Sequence, residues 1–578
     1  MPFQVSPGIN ISEIDLTTVV PNVATSIGAI AGAFQWGPVL ERTSITSEND
    51  LVNTFGKPND DTAEYFLTAA NYLSYSNNLI VVRTVEAGAT NAVVGDADTG
   101  TAMDVLNATD YDSKTFSDQL FVAKYPGVLG NSLKVRAIDS HGWAATVTGE
   151  AATTQALFKS QFDRAPSTST DVAAAGGSND EMHVIVIDED GLWTGIPGEV
   201  LETHGFVSKA NNAKRIDGST NYVKNVLRNE SRYIWLGQVS QLTEGAVTPG
   251  RSAGQPKAGG TFKPFDNATD LNKFPGGSLT LGVDGNAVGN SELIDGYSLF
   301  LNPEVVDVTL VMAGPGSNTV GSYIIDSIAS VRKDCVAFVS PNKASVVNGG
   351  TGQVVALTSD NTSLGSSSYA FMDGAWKYQY DRYNDVFRYV PMNGDIAGLC
   401  ARTDFTNDAW WSPAGMNRGT IKNIVKLSWE PTKADRDTMY QLGINPLITM
   451  TGAGVLLWGD KTMQIVPSAF DRINVRRLFI VLEKAIAIAA KAMLFEFNDE
   501  FTRAQFVNMV SPFLREIQGR RGITDFKVVC DSSNNTGQII DTNNFVGDIY
   551  IKPARSINFI QLNFIAARTD VSFSEIGG

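Results

Sequence analysis

The chemistry-bearing residues of this 578-residue chain are few and scattered. One Gly-x-Ser-x-Gly run, Gly250-Arg251-Ser252-Ala253-Gly254, has the spacing of a nucleophile elbow. Such an elbow needs a strand before it and a helix after it, so that the serine projects from a sharp turn. Ser252 instead lies in a Gly/Pro-rich stretch between Pro249 and Pro256, and a chance match is the reading. The three histidines, His141, His183 and His204, fall in one turn-rich region, so no general base sits on a rigid scaffold. Asp188-Glu189-Asp190 before Gly191 reads as a solvated acidic turn, because the twelve-residue spacing of a calcium loop is absent. Cys335, Cys400 and Cys530 are far apart and odd in number, which gives neither a zinc site nor a disulfide framework. They read as buried thiols of a chain folded in a reducing cytoplasm. Gly-Lys-Ser/Thr, GxGxxG and HExxH are all missing from the sequence. No catalytic residue, cofactor site or metal site is therefore expected.

The elements that would position such residues can be read from periodicity. A small-residue strand over 27–34, an amphipathic helix over 62–75 and a buried strand over 79–85 give a β-α-β order, the mark of an α/β layer. Residues 88–290 are rich in Gly, Ser, Thr and Ala with short strands such as 182–188, which predicts a β-rich surface insertion. The α/β pattern resumes with a strand over 305–311, a helix over 319–332 and a strand over 335–339. An aromatic strand-turn-strand is expected over 369–389, then a helix over 391–402 with Pro391 near its first turn. Leu478, Phe479, Leu482, Ala485, Ile486, Ala489 and Met493 keep helical spacing within 475–495, and a second helix follows over 500–518. Strands are expected over 526–530, 546–551 and 557–565. No repeat of 20–50 residues is visible.

Both ends look extended. Val5, Ile9, Ile11, Ile14, Leu16 and Val19 follow no helical period, and neither do Val571, Phe573 and Ile576. Apolar strands with nowhere local to fold back suit β-augmentation, in which backbone hydrogen bonds join one subunit to another. The expected organisation is an N-terminal arm (1–22), a discontinuous α/β domain (23–87 with 291–403), the insertion (88–290), an α+β C-terminal domain (404–568) and a C-terminal arm (569–578).

Composition narrows the class. There are 45 Lys and Arg against 61 Asp and Glu, a net charge of −16, which argues against direct nucleic-acid binding. Charged residues make up 18% of the chain, below the roughly 25% of ordinary soluble domains. Interface cores are depleted in charge, so this fits a surface largely covered by other subunits. The first basic residue is Arg42, so no signal peptide is expected. The apolar run 475–497 contains Arg476, Arg477, Glu483, Lys484 and Lys491 and does not read as a membrane span.

Several stretches taken together resemble the tail sheath proteins of contractile-tailed bacteriophages, in the branch with large multidomain sheaths. They are Ser6-Pro7-Gly8-Ile9, GAFQWGP from Gly32, DLVNTFG from Asp50, Val81-Val82-Arg83, and Tyr125-Pro126-Gly127 with Gly130-Asn131. Further on come KYQYDRYNDVFR from Lys377, DIAGLCARTD from Asp395, SPAGMNRG from Ser412, Asn445-Pro446 and DRINVRRL from Asp471. FEFN from Phe495, Val529-Cys530-Asp531 before Asn534-Asn535, and PARSI from Pro553 complete the series. The insertion matches only at scattered turns.

The resemblance implies a subtilisin-like but non-catalytic α/β domain. It implies hexameric rings stacked around a tail tube, arms that add strands to neighbouring subunits, and contraction that drives the tube through the host envelope. Tube, baseplate and terminator proteins would be partners, and the virion tail, assembled in the host cytoplasm, the location. Arg503, Arg515, Arg520 and Arg521 on or beside the helix over 500–518 are the expected tube contacts. The rivals are the sheath of a related contractile injection particle, a passive shell protein, and, least supported, a secreted α/β hydrolase.

Overall fold

The computed structural model describes residues 20, 23–95, 100–242, 250–265, 274–285, 287–558 and 561. It divides into two compact units. The larger comprises Ala24–Arg402 and Pro413–Val466, and the smaller Met1–Val23, Thr403–Ser412 and Pro467–Gly578.

The larger unit opens with β1 (Gly28–Ala33), β2 (Arg42–Ile45), α1 (Ala63–Leu73) and β3 (Leu79–Thr84). Glycine in β1 has a steric purpose. A Cβ at Gly28 would stand 2.6 Å from the Tyr72 ring, and one at Gly32 would stand 2.3 Å from Tyr65. Two tyrosines of α1 thus lie flat on a strand that must have no side chain beneath them. Ala29 and Ala31 point to the opposite face, into a core shared with Tyr297 and Leu293 of the helix Asn290–Ser298. Helices therefore cover both faces, as parallel strands require.

The insertion contributes β4 (Leu133–Asp139), β5 (Glu181–Asp188) and β6 (Glu199–Ser208), antiparallel in order, with Gly276–Ser278 added beside β4. A second sheet joins Ile234–Leu236, Phe121–Ala123 and Val93–Val94. The insertion is not built of strands and turns alone. The region carries the helices Glu150–Gln161 and Val223–Glu230 and several buried cores of its own. The first helix buries Ala151, Thr154, Gln155 and Phe158, a face too polar to show a helical period.

After the insertion come β7 (Leu310–Met312), β8 (Val336–Val339), β9 (Ala370–Asp373), the hairpin β10 (Trp376–Asp381) and β11 (Val386–Pro391), α2 (Asn393–Thr406) and β12 (Ile444–Asn445). The central sheet has the order β12-β9-β8-β7-β1-β3-β2. All pairs are parallel except β2 with β3. Two boundaries differ from expectation. The strand read over 305–311 is confined to Leu310–Met312. Pro391 does not open a helix but ends β11, paired with Trp376, and the helix begins at Asn393. β11 is an edge strand, where a residue without an N–H is tolerated.

Two polar constructions lock this unit. Arg83, at the end of β3, is buried and donates to four backbone carbonyls: Phe34 (2.8 Å), Gln35 (3.1 Å), Gly37 (2.9 Å) and Pro126 (2.7 Å). Three acceptors belong to the loop after β1, and the fourth to the insertion. Beside them Trp36 packs edge-on against Tyr125 and Trp193. The second construction lies under the β10–β11 hairpin. Lys377 pairs with Asp395 at 2.9 Å, both side chains fully buried. Tyr75 donates to the same carboxylate at 3.2 Å, and Asn71 of α1 donates to Gln379. Burial pushes Asp395 up and Lys377 down. Nearby, Asp373 accepts from Ser340 at 2.5 Å, and Ser340 accepts from Asn393.

The smaller unit, taken by itself, contains α3 (Ile473–Ala490), α4 (Glu500–Gly519) and the hairpin β13 (Ile523–Val529) and β14 (Asp548–Pro553). Leu478, Leu482, Ala485 and Ala489 pack with Phe506, Val510, Leu514 and Ile517. Pro512 lies within α4, where its missing N–H removes one backbone bond. The strand expected over 557–565 is not formed at Ile557 and Asn558, and most of the remainder lies outside the described residues.

Two predictions follow from the locks. Arg83→Lys supplies one point charge where a fork serves four acceptors, and Arg83→Met strands all four. Both should destabilise the larger unit by about 2–4 kcal/mol, read as a lowered urea midpoint. Asp373 is pushed up to about 8 by burial, against an ordinary value of 3.8. Between those values the folded state holds a proton that the unfolded state has lost. Stability from this group is therefore complete below about pH 4, falls as pH rises, and is gone above about pH 8. Asp373→Asn should flatten that slope in urea titrations across pH 5–8, and an unchanged slope would refute the assignment.

Candidate interaction surfaces

The residues that resembled chemistry are structural in the fold. Ser252 is half-buried, and the residues after it turn toward the strand Gly260–Thr261 instead of opening the helix an elbow needs. His183 is buried and stacked on Phe162 at 4.0 Å. Its Nδ1 accepts from the Phe206 N–H, and its Nε2 lies 3.2 Å from the Arg164 carbonyl. His204 pairs with Glu202 at 2.8 Å, and His141 is exposed on a short helix. Asp188 is buried and accepts from Ser132, the backbone of Trp193 and Thr194, and the Thr194 hydroxyl, so it organises a turn. Glu189 pairs with Lys134. Among the described residues no cluster of His, Cys, Asp or Glu could hold a metal ion, and no helix is long and apolar enough to cross a membrane. Cys335, Cys400 and Cys530 are buried free thiols.

Two features of the smaller unit could bind another macromolecule, an open sheet edge and a group of exposed side chains. The β13–β14 sheet has two strands, so both outer edges lack a partner strand among the described residues. Unpaired N–H and C=O groups along such an edge can accept a further strand. The expected arm residues Val5, Ile9, Ile11, Ile14, Leu16, Val19, Val571, Phe573 and Ile576 lie outside the described residues. Val20, at the end of the N-terminal arm, is described and is buried in the core of this unit.

The four arginines singled out in the sequence have different surroundings. Arg503 donates to the Asn498 side chain (2.7 Å) and carbonyl (3.0 Å) and is half-buried. Arg520 pairs with Asp408 and Glu516 and sits over the Trp410 ring. Arg521 lies over Trp411 at 5.5 Å, and Arg515 is exposed. The fold brings Arg515, Arg520 and Arg521 to one end of α4 and leaves Arg503 at the other. At that other end the turn between α3 and α4 exposes Leu494, Phe495, Phe497 and Phe501. Sequence reasoning noted this stretch only as a match; four large apolar residues in eight positions without helical spacing were the available signal.

Models of known families match three parts of the chain. The phage tail sheath protein central domain matches residues 287–463, and the phage tail sheath C-terminal domain matches 466–567. The N-terminal region of domain III of the tail sheath protein Gp18 matches 25–84. The tail sheath protein of Vibrio phage KVP40 is 36% identical over 99% of both chains, and that of Enterobacteria phage T4 is 34% identical over 99% of both. Among solved structures, the sheath tail protein of Listeria innocua superposes with a TM-score of 0.53 at 12% identity, covering 93% of this chain and 94% of that one. The anti-feeding prophage helical sheath in its contracted state gives 0.50 at 13% identity, covering 98% and 100%. The last two are likenesses of fold, but the near full-length identity to phage proteins goes further: this chain belongs to the tail sheath protein family of contractile-tailed bacteriophages.

Proposed function

We propose that the chain is the structural subunit of a contractile tail sheath that polymerises as hexameric rings around the tail tube and contracts to drive the tube through the host envelope. The observation that carries this reading is the 36% identity to a phage tail sheath protein across 99% of both chains. A sheet of the smaller unit whose outer edges lack a partner among the described residues, in a chain whose ends read as apolar strands, supports assembly by strand addition. Heterologous contacts that do not close on themselves build helical stacks. Contraction would release free energy held by a kinetically trapped extended array, with the arms keeping subunits connected while folded blocks turn. The mostly parallel sheet covered by helices on both faces agrees with a subtilisin-like layer that carries no catalytic constellation. Tube, baseplate and terminator proteins would be its partners, and assembly in the host cytoplasm would precede incorporation in the virion tail. With Arg520 engaged by Asp408 and Glu516, Arg515 and Arg521 are the charges of that helix end best placed for an acidic tube.

Negative-stain imaging of the purified chain tests the reading. Hollow striated tubes are expected, and monomers at every concentration would refute it. Closed shells that ignore added tube protein would favour the passive-shell alternative. Removing residues 1–19 or 571–578 should leave a folded, soluble monomer that no longer polymerises, because each strand added to a neighbour would bring several backbone bonds worth roughly 0.5–1.5 kcal/mol apiece. Ile11→Pro, which deletes one backbone donor, should shorten the tubes seen by sedimentation and imaging. Long tubes of normal stability from either truncated chain would remove the arms from the mechanism.

A further inference from the structure

Lys377 of β10 and Asp395 of α2 are placed for more than an ion pair. Both side chains are 0% exposed. The Lys377 nitrogen lies 2.9 Å from Oδ1 and 2.9 Å from Oδ2. A nitrogen equidistant from both oxygens faces the carboxyl carbon at roughly 3 Å, a near-attack separation. The two oxygens differ in their surroundings. Oδ1 accepts from Lys377 and, at 3.2 Å, from the Tyr75 hydroxyl. Oδ2 is buried and takes part in no hydrogen bond. Burial raises the Asp395 carboxyl and lowers the Lys377 ammonium, so both move toward their uncharged forms. A desolvated, uncharged lysine amine is a nucleophile. Asp373, which feels the Asp395 charge, is pushed up to about 8 by burial and supplies no full negative charge at neutral pH to keep Lys377 protonated. A second buried pair, in the insertion, is arranged differently. Lys209 and Asp139 are 1% and 3% exposed and 3.0 Å apart. There Oδ1 accepts the N–H groups of His141 and Gly142, and Oδ2 that of Phe265. Against its burial, Lys209 and these donors hold Asp139 below the usual carboxylate range. Asp139 is satisfied as an anion, and Asp395 is not.

We propose that Lys377 and Asp395 condense spontaneously in the folded chain to a side-chain amide, which ties β10 to α2 across 18 residues. Proton transfer within the pair gives the amine and the carboxylic acid. The Nζ–Cγ bond forms while the Tyr75 hydroxyl donates to Oδ1, where negative charge develops. The Cγ–Oδ2 bond then breaks. Oδ2 leaves as water, carrying the acid proton and one proton from the nitrogen. The step is neutral in electrons and needs no co-reactant. The amide keeps one N–H, and the Lys422 carbonyl, which already accepts from Nζ at 3.2 Å, is in place to receive it. The hairpin could then not part from α2 without rupture of a covalent bond. This tie is internal to the larger unit and holds whatever the chain assembles into.

Mass spectrometry of the purified full chain, folded and then denatured, tests the bond. The intact mass, counted from the observed N-terminus, should be one water below that of the sequence. It should not be two waters below, because Lys209 and Asp139 stay unlinked. Trypsin does not cut after an acylated lysine. The digest should therefore contain residues 344–382 joined to residues 389–402 through Lys377 and Asp395. Lys377→Arg, which keeps a positive charge without an amine, should show its full sequence mass. Tyr75→Phe keeps the ring and removes the donor; it should give a mixture of linked and unlinked chains, with the linked fraction growing on incubation. A wild-type intact mass equal to that of the sequence overturns the inference. So does a Lys377→Arg chain that still lacks one water. Loss of one water with 344–377 and 389–402 recovered as separate peptides overturns it too, because the water has then left an imide at an Asp-Gly step such as Asp217-Gly218. Complete linkage without delay in Tyr75→Phe overturns the role given to Tyr75.

Discussion

The larger unit depends on one guanidinium bound only by backbone oxygens. Arg83 carries a buried charge, lowered by burial to about 10 and so still cationic at neutral pH. No carboxylate shares its hydrogen bonds; four carbonyl dipoles do. Taking a charge out of water is costly unless it is fully satisfied. The loop after β1 must therefore curl around the end of β3, and the insertion must present Pro126 to the same group. Trp36 follows from that curl, wedged between Tyr125 and Trp193, and Trp193 in turn meets Tyr233. The insertion is thereby braced against the central sheet rather than hung from it.

The same economy recurs elsewhere in the unit. Asp139 pairs with Lys209 at 3.0 Å in the insertion core and also accepts the backbone N–H groups of Gly142 and Phe265. Asp180 gathers Ser169 and Ser208. Lys377 and Asp395 hold α2 beneath the β10–β11 hairpin. Satisfied buried networks of this type rigidify and specify a single packing, and half-satisfied ones would not persist. In the proposed machine, large movements would then fall between subunits, because the interior of this block has no cheap alternative arrangement.

The smaller unit is constructed on another principle. Its core packs α3 against α4, with the ion pair of Arg477 and Asp404 buried beside it. One end of α4 carries arginines, of which Arg520 is spent on Asp408 and Glu516; the other carries exposed aromatic rings beside Asn498, which donates to the Asn544 carbonyl and accepts from Arg503. A sheet that has two strands among the described residues completes it. Each of these features is a liability in an isolated monomer. In the proposed sheath these features would be completed by neighbouring subunits.

Periodicity made several elements legible. The i, i+3, i+4 spacing of Leu478, Leu482, Ala485 and Ala489 marks α3, and the β-α-β order around α1 marks the layered sheet. These patterns record which face of a local element is buried, so a window of residues suffices. The helix Glu150–Gln161 was not legible, because its buried face holds Thr154 and Gln155, and Gln155 is satisfied by carbonyls of a preceding turn. Pro391 looked like a helix start because its φ suits one; only pairing with Trp376 makes it a strand end. The stretches GAFQWGP, VVR and YPG, separate in the chain, could be recognised as a family resemblance but not explained. Their physical reason is that they meet at Arg83, whose partner Pro126 lies 43 residues away. Sequence alone thus determined class, layering and the main helices, which follow from local burial patterns. The tertiary structure decided the roles of Arg83, Asp395 and the ring-bearing turn at Phe495, because a hydrogen-bond partner or an uncovered face exists only once distant segments have come together.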